Sequence, residues 1–452
     1  MSADVLREAF MMRNVALLVV VVLTAPPAFA AETSMIHLSG TPEQIGTMWG
    51  KMNKEIIVRD MDAHYLKRAA TAGISRETLM ERSAAYVRIA KEIAPHWLTE
   101  ARAIARAAGV DEDLYIAFVD GRSRNRFLHE CTSYAVSREH ARDGAILFHK
   151  TRDNVDRLQA TPIMESSLAG INKFIAVTNA SRIQCSMMVN EKGLAGSGDY
   201  PAHRKKDSSA LHLAKAEPQY RGLMGGTILR HIAERASSCA EALAIIEDFV
   251  AKGYYAGGDV NGNHWLFVDR KGTILEVCNN SRHVVSKVHT QKVYFSRLNE
   301  SEAARRLREA EAVDFQLFHG ISRVRPLLTP KSISGMTVEI DPDRPDLFTC
   351  AWISLPVRAV AFPVFMGQGR TPACLVDGTA YALGKKSPPQ TPRWESMERS
   401  IRAEKERLKE RVKASVAAGK PERTEVDLLE QWSAAQAAML VKALEQPEST
   451  AE

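Results

Sequence analysis

The chain lacks the short signatures that announce the commonest enzyme classes. It has no CxxC pair, no GxSxG elbow, no HExxH helix, no P-loop and no Rossmann glycine fingerprint. The usual serine-hydrolase, zinc-protease and nucleotide-binding readings are therefore set aside. Its six cysteines, Cys131, Cys185, Cys239, Cys278, Cys350 and Cys374, are too scattered for a disulfide scaffold or a zinc site. Charge of one sign is also missing: 60 Lys and Arg stand against 54 Asp and Glu, a net charge of +6. Only the tail concentrates charge, so no nucleic-acid partner is expected. Beyond residue 30 no apolar run reaches membrane-spanning length. Nothing in the sequence calls for a metal or a cofactor.

What is present is ordinary globular composition, 45% apolar and 25% charged. The N-terminus carries an export signal. Arg13 precedes an apolar run from Val15 to Leu23, and Ala28-Phe29-Ala30 offers small residues for cleavage. Residues 1–30 are read as a signal peptide, with a mature chain from Ala31, a periplasmic or secreted location, and no membrane span once the signal is removed.

Residues 36–130 read as helical. Thr41-Pro42-Glu43-Gln44 combines a cap, a first-turn proline and a capping-box glutamine. Apolar residues recur at helical spacing over 78–108, with Pro95 dividing the run and Gly109 ending it, and a helix follows over 111–119. At Cys131 the pattern turns strand-like: 131–137, 145–150, 174–178, 185–189, 264–268, 273–277, 293–295, 335–340, 348–353 and 359–365. One amphipathic helical stretch, 228–250, interrupts them. Helices before and between many antiparallel strands predict an α+β fold. Residues 386–452 open on a proline-rich linker and continue as two charged helices, read as a solvated hairpin lying on the core.

Cys131 opens the first of these strands. A thiol needs a base to become a thiolate, and no papain-like His pattern stands nearby. A cut before Cys131 would supply one. The new α-amine has a reference pKa of about 7.7–8.0 and sits on the same residue as the thiol.

Here the chain resembles a known family. Gly40-Thr41-Pro42-Glu43-Gln44-Ile45-Gly46, closing at Gly50, is similar to the opening of peptidase family C45, the acyl-coenzyme A:6-aminopenicillanic acid (isopenicillin N) acyltransferase-like proteins. Ala94-Pro95, Thr99–Ala105 and Gly109-Val110-Asp111 resemble the helix before that family's cleavage site, and Cys131-Thr132 its nucleophile. The resemblance runs from about residue 36 to 380. It implies the N-terminal-nucleophile (Ntn) hydrolase fold, a four-layer αββα sandwich, and self-cleavage before the cysteine. The choloylglycine hydrolases and penicillin V acylases share that fold. Their second strand resembles Leu147–Asp153, with Lys150 in place of an Arg and Asp153 matching an Asp. By that likeness Asp153 holds and polarises the α-amine of Cys131, and Lys150 serves the substrate or the site's electrostatics. Residues three apart on a strand face opposite sides, so the strand is expected to end or bulge between them.

Asn190–Leu194 matches the family's hairpin, with Asn190 a turn residue. Asp199 and Tyr200 follow as oxyanion candidates. An ionised Asp repels an oxyanion, which favours the Tyr200 hydroxyl or a backbone N–H. His264–Asp269 matches the next hairpin. The Thr-Asn expected after it is replaced: Arg297 takes the direct position and Asn299 lies two residues on. Arg305 or Arg306 falls where relatives place a structural arginine. Glu130 replaces the Gly that precedes the nucleophile in the isopenicillin acyltransferase.

The expected protein is thus an exported, self-processed Ntn cysteine amidohydrolase or acyltransferase acting on a small amide or thioester. Residues 31–130 form its helical α chain, 131–385 its catalytic core and 386–452 its helical extension, with the two fragments remaining associated. Export disfavours coenzyme A as acyl donor, and so favours hydrolysis over transfer. The alternatives are a penicillin V or bile-salt acylase-like hydrolase and a non-catalytic binding member of the fold.

Overall fold

Thr41 starts the first helix, α1 (Pro42–Met52), with both halves of the capping box: its side chain accepts from the Gln44 N–H, and Gln44 Oε1 accepts from the Thr41 N–H at 2.9 Å. The computed structural model describes residues 33–120, 131–153, 159–199, 211, 213–219, 221–256, 262–387, 392–419 and 422–446. The signal segment, the Glu130–Cys131 junction and Tyr200 lie outside them. The long helical pattern divides at Pro95 into α2 (Arg76–Ile93) and α3 (His96–Ala108), which Gly109 closes at φ 76°. Then comes α4 (Glu112–Asp120). The paired glycines of the opening motif serve packing. A Cβ on Gly46 would lie 2.3 Å from the Glu100 carbonyl oxygen, and one on Gly50 2.5 Å from that of Ile104, so α1 presses directly on the α3 backbone.

The N-terminal segment is not wholly helical. Its first eight described residues form β1 (Thr33–Gly40), which adds in parallel to the edge of a sheet through β4 (Gln159–Ser166). Met35 turns into one apolar cluster, and Ile36 and Leu38 into another. A short strand buried on both faces carries no alternation to betray it.

Two sheets build the centre. One has the order β1, β4, β5 (Phe174–Asn179), β6 (Met187–Asn190), β7 (Ala195–Asp199), β8 (Asn263–Val268), β9 (Ile274–Asn279), β10 (Val284–His289). The other runs β11 (Val293–Phe295), β2 (Cys131–Val136), β3 (Ile146–Asp153), β12 (Ser332–Ile340), β13 (Cys350–Ser354), β14 (Ala361–Phe365). They pack face to face: Ser133 Oγ meets Ser197 Oγ at 2.7 Å across the gap. Helices α5 (Gly225–Arg235) and α6 (Cys239–Ala251) join the N-terminal helices on the outer face of the first sheet. The expected single helix over 228–250 breaks because Ser238 caps a second one. On the outer face of the second sheet lie α7 (Glu302–Glu309), α8 (Phe315–Gly320), α9 (Pro392–Ala417) and α10 (Glu422–Glu445). The fold is α+β, in four αββα layers.

The two charged C-terminal helices are part of that outer layer. Trp394, Glu398, Ile401, Lys405, Leu408, Val412 and Ser415 follow spacings of four and three and are all buried. Two charges interrupt this stripe, which gives it a solvated look in sequence, and the core answers each. Glu398 takes Arg323 at 2.5 Å, and Lys405 takes Glu339 at 2.8 Å. Burial alone would raise the Glu339 carboxyl, but Lys405 and Arg402 hold it down at about 2. Its folded value lies below its ordinary one. The stability it contributes is therefore full above about 4.5 and is lost as pH falls towards 2, on the order of 3 kcal/mol. Urea titrations at pH 6, 4 and 2.5 are expected to give midpoints that drop steeply between the last two, and Glu339→Gln to flatten that drop.

Candidate functional site

The register of β2 and β3 sets the site. Cys131 pairs with Arg152, and Ser133 with Lys150. Directly paired residues share a face, so Cys131, Ser133, Lys150 and Arg152 all look into the gap between the sheets. Thr132, Tyr134, His149 and Thr151 look outward. Opposite, β7 turns Ser197 and Asp199 inward. Several strand ends meet here: β2 begins at Cys131, β3 ends at Asp153, β7 ends at Asp199 and β8 begins at Asn263.

Lys150 and Asp199 form a fully buried ion pair, Nζ to Oδ1 at 2.9 Å. Lys150 Nζ also donates to the carbonyls of Ser186 (2.8 Å) and Gly198 (2.6 Å). Asp199 meets the ammonium as a charge, and neither of its oxygens has a hydrogen-bond partner among the described residues. Burial would raise the Asp199 carboxyl, but Lys150, and after it His264, hold it below its ordinary value. Cys131 is 5% exposed and unbridged. Burial pushes its thiol above the ordinary value; Lys150 and Arg152 pull it down, and Asp199 and Asp153 push it up. Cys131 is thus a neutral thiol in a strongly charged frame.

Strand β3 runs unbroken through Asp153, so the expected interruption between Lys150 and Asp153 is absent. The irregularity falls on the partner instead, where β12 shifts register between Ser332 and Ser334. That bulge brings Ser332 Oγ to donate to Asp153 Oδ1 at 2.6 Å, with Thr329 Oγ1 at 3.4 Å. Asp153 is fixed at the strand end, one residue beyond the partner of Cys131.

The oxyanion candidates divide. Ser296, just beyond β11, accepts the Ser133 N–H on its Oγ at 2.9 Å, which ties the chain before Arg297 to β2. The Arg297 Nε is buried with no hydrogen-bond partner among the described residues. Asn299 is engaged locally: its Nδ2 donates to the Phe295 carbonyl at 2.8 Å, and its Oδ1 accepts from Arg308. Arg305 is not brought to Cys131. It lies exposed on α7, ion-paired with Glu302 and Glu309, and Arg306 is exposed too. The amphipathic α7 turns Ala303, Ala304 and Leu307 inward, which sends both arginines out. Asn190 is a turn residue, its Oδ1 accepting from the N–H groups of Lys192 and Leu194 while its Nδ2 ties the hairpin to the end of α5.

Sequence reasoning passed over Arg152, the direct partner of Cys131. Its Nη2 donates to Asn179 Oδ1 at 2.7 Å, and its Nη1 to Gln159. Alternation from Lys150 was the available signal. Also unread was an inward group behind Asp199, where donor atoms of His264, Glu276 and Cys278 lie within 4.8 Å of one another. Both Glu276 oxygens already face imidazole nitrogens, at 2.9 and 2.8 Å, so the group closes as a carboxylate–imidazole cluster.

No family model matches the chain, and no curated protein matches it in sequence. Among solved structures it is similar to penicillin V acylase from Agrobacterium tumefaciens (11% identity, TM-score 0.35), over 52% of this chain and 86% of that one. A variant of conjugated bile acid hydrolase from Clostridium perfringens matches at 12% identity and TM-score 0.33, over 52% and 92%. The Caenorhabditis elegans ortholog of N-acylethanolamine-hydrolyzing acid amidase matches at 10% and 0.33, over 48% and 96%. At these scores the likeness fixes neither substrate nor reaction.

Proposed function

We propose that this chain is an exported cysteine amidohydrolase of the N-terminal-nucleophile type, cut between Glu130 and Cys131, acting on a small amide through a Cys131 thioester. The observation that carries this reading is the position of Cys131. It is the first residue of an inner strand, with its thiol in the gap between the sheets beside the buried Lys150–Asp199 pair. Among the described residues, the charges that act most on that thiol are those of Lys150, Asp199, Arg152 and Asp153. A thiol pushed up by burial needs a base at hand, and a freed α-amine on the same residue meets that need with little entropic cost.

The α-amine takes the thiol proton as Sγ attacks the acyl carbonyl. The C–N bond breaks, and the departing amine receives that proton. Water then adds to the thioester, releases the acid and restores the thiol. Asp153, held by Ser332, orients the α-ammonium and stabilises its charge. Lys150 supplies positive potential for the sulfur, and Arg297 is the side-chain candidate for the oxyanion.

Intact-mass measurement is expected to give two associated fragments, 31–130 and 131–452; an active chain of full length would overturn the processing step. A panel of small amides and thioesters, run with wild type and Cys131→Ala, tests the chemistry. Asp153→Asn keeps the shape and removes the charge, and is expected to lower kcat by about 10²-fold, within the range for a lost acid–base partner. Circular dichroism would check that its fold is unchanged, and kcat equal to wild type would remove Asp153 from the mechanism. A non-catalytic binding role is favoured by one observation, the local engagement of Asn299. Thiol labelling separates the two: a catalyst loses turnover when Cys131 alone is modified, whereas a binder has none to lose.

A further inference from the structure

The sandwich gathers on its inner face a set of side chains that the sequence scatters and the proposed chemistry does not use. Cys278 on β9 pairs directly with His264 on β8, so the two share a face. Glu276, two residues along β9, returns to that face. His289 on edge strand β10 joins them there, opposite Ile274. Tyr294 reaches over from β11 of the other sheet, its hydroxyl 3.3 Å from His264 Nε2 and its ring stacked on His289 with centroids 4.0 Å apart. All five side chains are buried. One donor atom each from His264, Glu276 and Cys278 lies within 4.8 Å of the other two.

The imidazole contacts of Glu276, 2.9 Å to His264 Nε2 and 2.8 Å to His289 Nε2, account for the burial of its carboxylate. They do not account for the thiol, which is a weak donor and a weak acceptor. Deprotonated, that sulfur is a soft ligand. One thiolate, one imidazole and one carboxylate together suit zinc rather than magnesium or calcium. Zinc bonds of about 2.0–2.1 Å to nitrogen and oxygen, and about 2.3 Å to sulfur, set tetrahedral neighbours about 3.3–3.6 Å apart. His264 Nε2 and Glu276 Oε1 stand at 2.9 Å and need open by only about 0.4 Å to share such an ion. The second Glu276 oxygen keeps His289 as its donor, the outer hydrogen bond by which a ligating carboxylate is held. The Tyr294 hydroxyl is close enough to His264 Nε2 to supply, or to hydrogen-bond, a fourth ligand.

We propose that His264, Glu276 and Cys278 form a zinc site inside the sandwich, with His289 as the outer partner of Glu276. On binding, His264 Nε2, Glu276 Oε1 and Cys278 Sγ each form a bond to the ion. The thiol proton leaves to solvent, and His264 carries its hydrogen on Nδ1. The ion clasps β8 to β9 and, through His289, holds edge strand β10 against them. This site shares no residue with the Cys131 site, and the proposal does not depend on the amidase reading.

The probe is cobalt(II), which enters zinc sites and reports its ligands by absorption. It is titrated into the folded full-length Cys131→Ala chain after treatment with EDTA, a background that removes the one thiol a cut would leave beside a free amine. One ion per chain is expected, with a thiolate-to-cobalt charge-transfer band in the near ultraviolet that one equivalent of zinc abolishes. Cys278→Ser in the same background is expected to lose the band and to bind zinc at least about 100-fold more weakly, beyond the loss typical of an outer partner. His289→Gln, which touches only that outer partner, is expected to cost about tenfold. If Cys278→Ser does not fold, the zinc affinity of His264→Gln decides, with the same loss expected. No uptake by the parent chain would overturn the proposal. So would several ions bound without the band, which is surface binding only, or an affinity unchanged in whichever ligand variant folds. Amide turnover enters none of these outcomes, so the amidase reading stands or falls separately.

Discussion

Cys131→Ala is expected to leave a folded chain that is neither cut nor active. Mass spectrometry should show a single species spanning residues 31–452, and turnover should fall at least about 10⁴-fold, since losing a nucleophile removes the covalent path itself. The fold should survive because the change is small: one sulfur leaves a strand end whose neighbours are largely polar and charged, among them Ser133, Lys150 and Arg152. The thiol is not part of the apolar clusters that hold the sheets together. Cys131→Ser separates the two roles of the residue. A hydroxyl is harder to deprotonate than a thiol in the same buried frame, so cutting is expected to slow from completion during expression to hours, with turnover weaker still. Residual turnover by the alanine variant would move the chemistry away from Cys131. The other five cysteines offer no ready substitute. Cys185, Cys239, Cys278 and Cys350 are buried, and burial raises the thiols of Cys185, Cys239, Cys350 and the half-buried Cys374.

How much of this was legible in sequence depended on the range of the interaction. The Thr41 capping box, the break at Pro95 and the Gly109 stop are contacts between residues a few positions apart, and each appears where its chemistry required. Most strands from Cys131 onward announced themselves by composition, though β4 and β10 did not. Edge strand β1 did not, because its partner β4 lies some 120 residues away. At the site, Lys150 and Asp199 were each legible as candidates, but their ion pair is made between two sheets, and no spacing encodes it. The Asp153 environment turned on a bulge in β12, a strand nearly 180 residues on. Arg305 illustrates the reverse error. A position carried over from resemblance pointed inward, while the apolar stripe of Ala303, Ala304 and Leu307 on its own helix already pointed it out. The Glu276 cluster escaped notice because its residues sit on three neighbouring strands as ordinary-looking polar positions, and only the sandwich buries them together.

Glu398→Ala is expected to be strongly destabilising. Glu398 lies on the buried stripe of α9 and faces Arg323, itself 3% exposed, through two hydrogen bonds of 2.9 and 2.5 Å. The same carboxylate accepts the Ala361 N–H at 2.8 Å and stands 3.7 Å from His319 Nε2. Removing it strands a guanidinium in the core, at a cost of roughly 3–5 kcal/mol. The loss should propagate to the site along a hydrogen-bonded chain. His319 Nδ1 meets Thr337 Oγ1 at 2.6 Å, Thr337 meets His149 Nδ1 at 2.6 Å, and His149 Nε2 meets Thr151 Oγ1 at 3.0 Å. Thr151 is the residue of β3 between Lys150 and Arg152, so the C-terminal helices brace the back of the strand whose front carries the charged frame of Cys131. Thermal melts should place Glu398→Ala well below wild type. The double change Arg323→Met with Glu398→Met should recover most of the difference, because the penalty belongs to the charge left unpaired more than to the missing attraction. A Glu398→Ala melt within a degree of wild type would mean that α9 only rests on the sheet. A double change no better than the single one would mean that Glu398 acts through the Ala361 N–H and His319 instead.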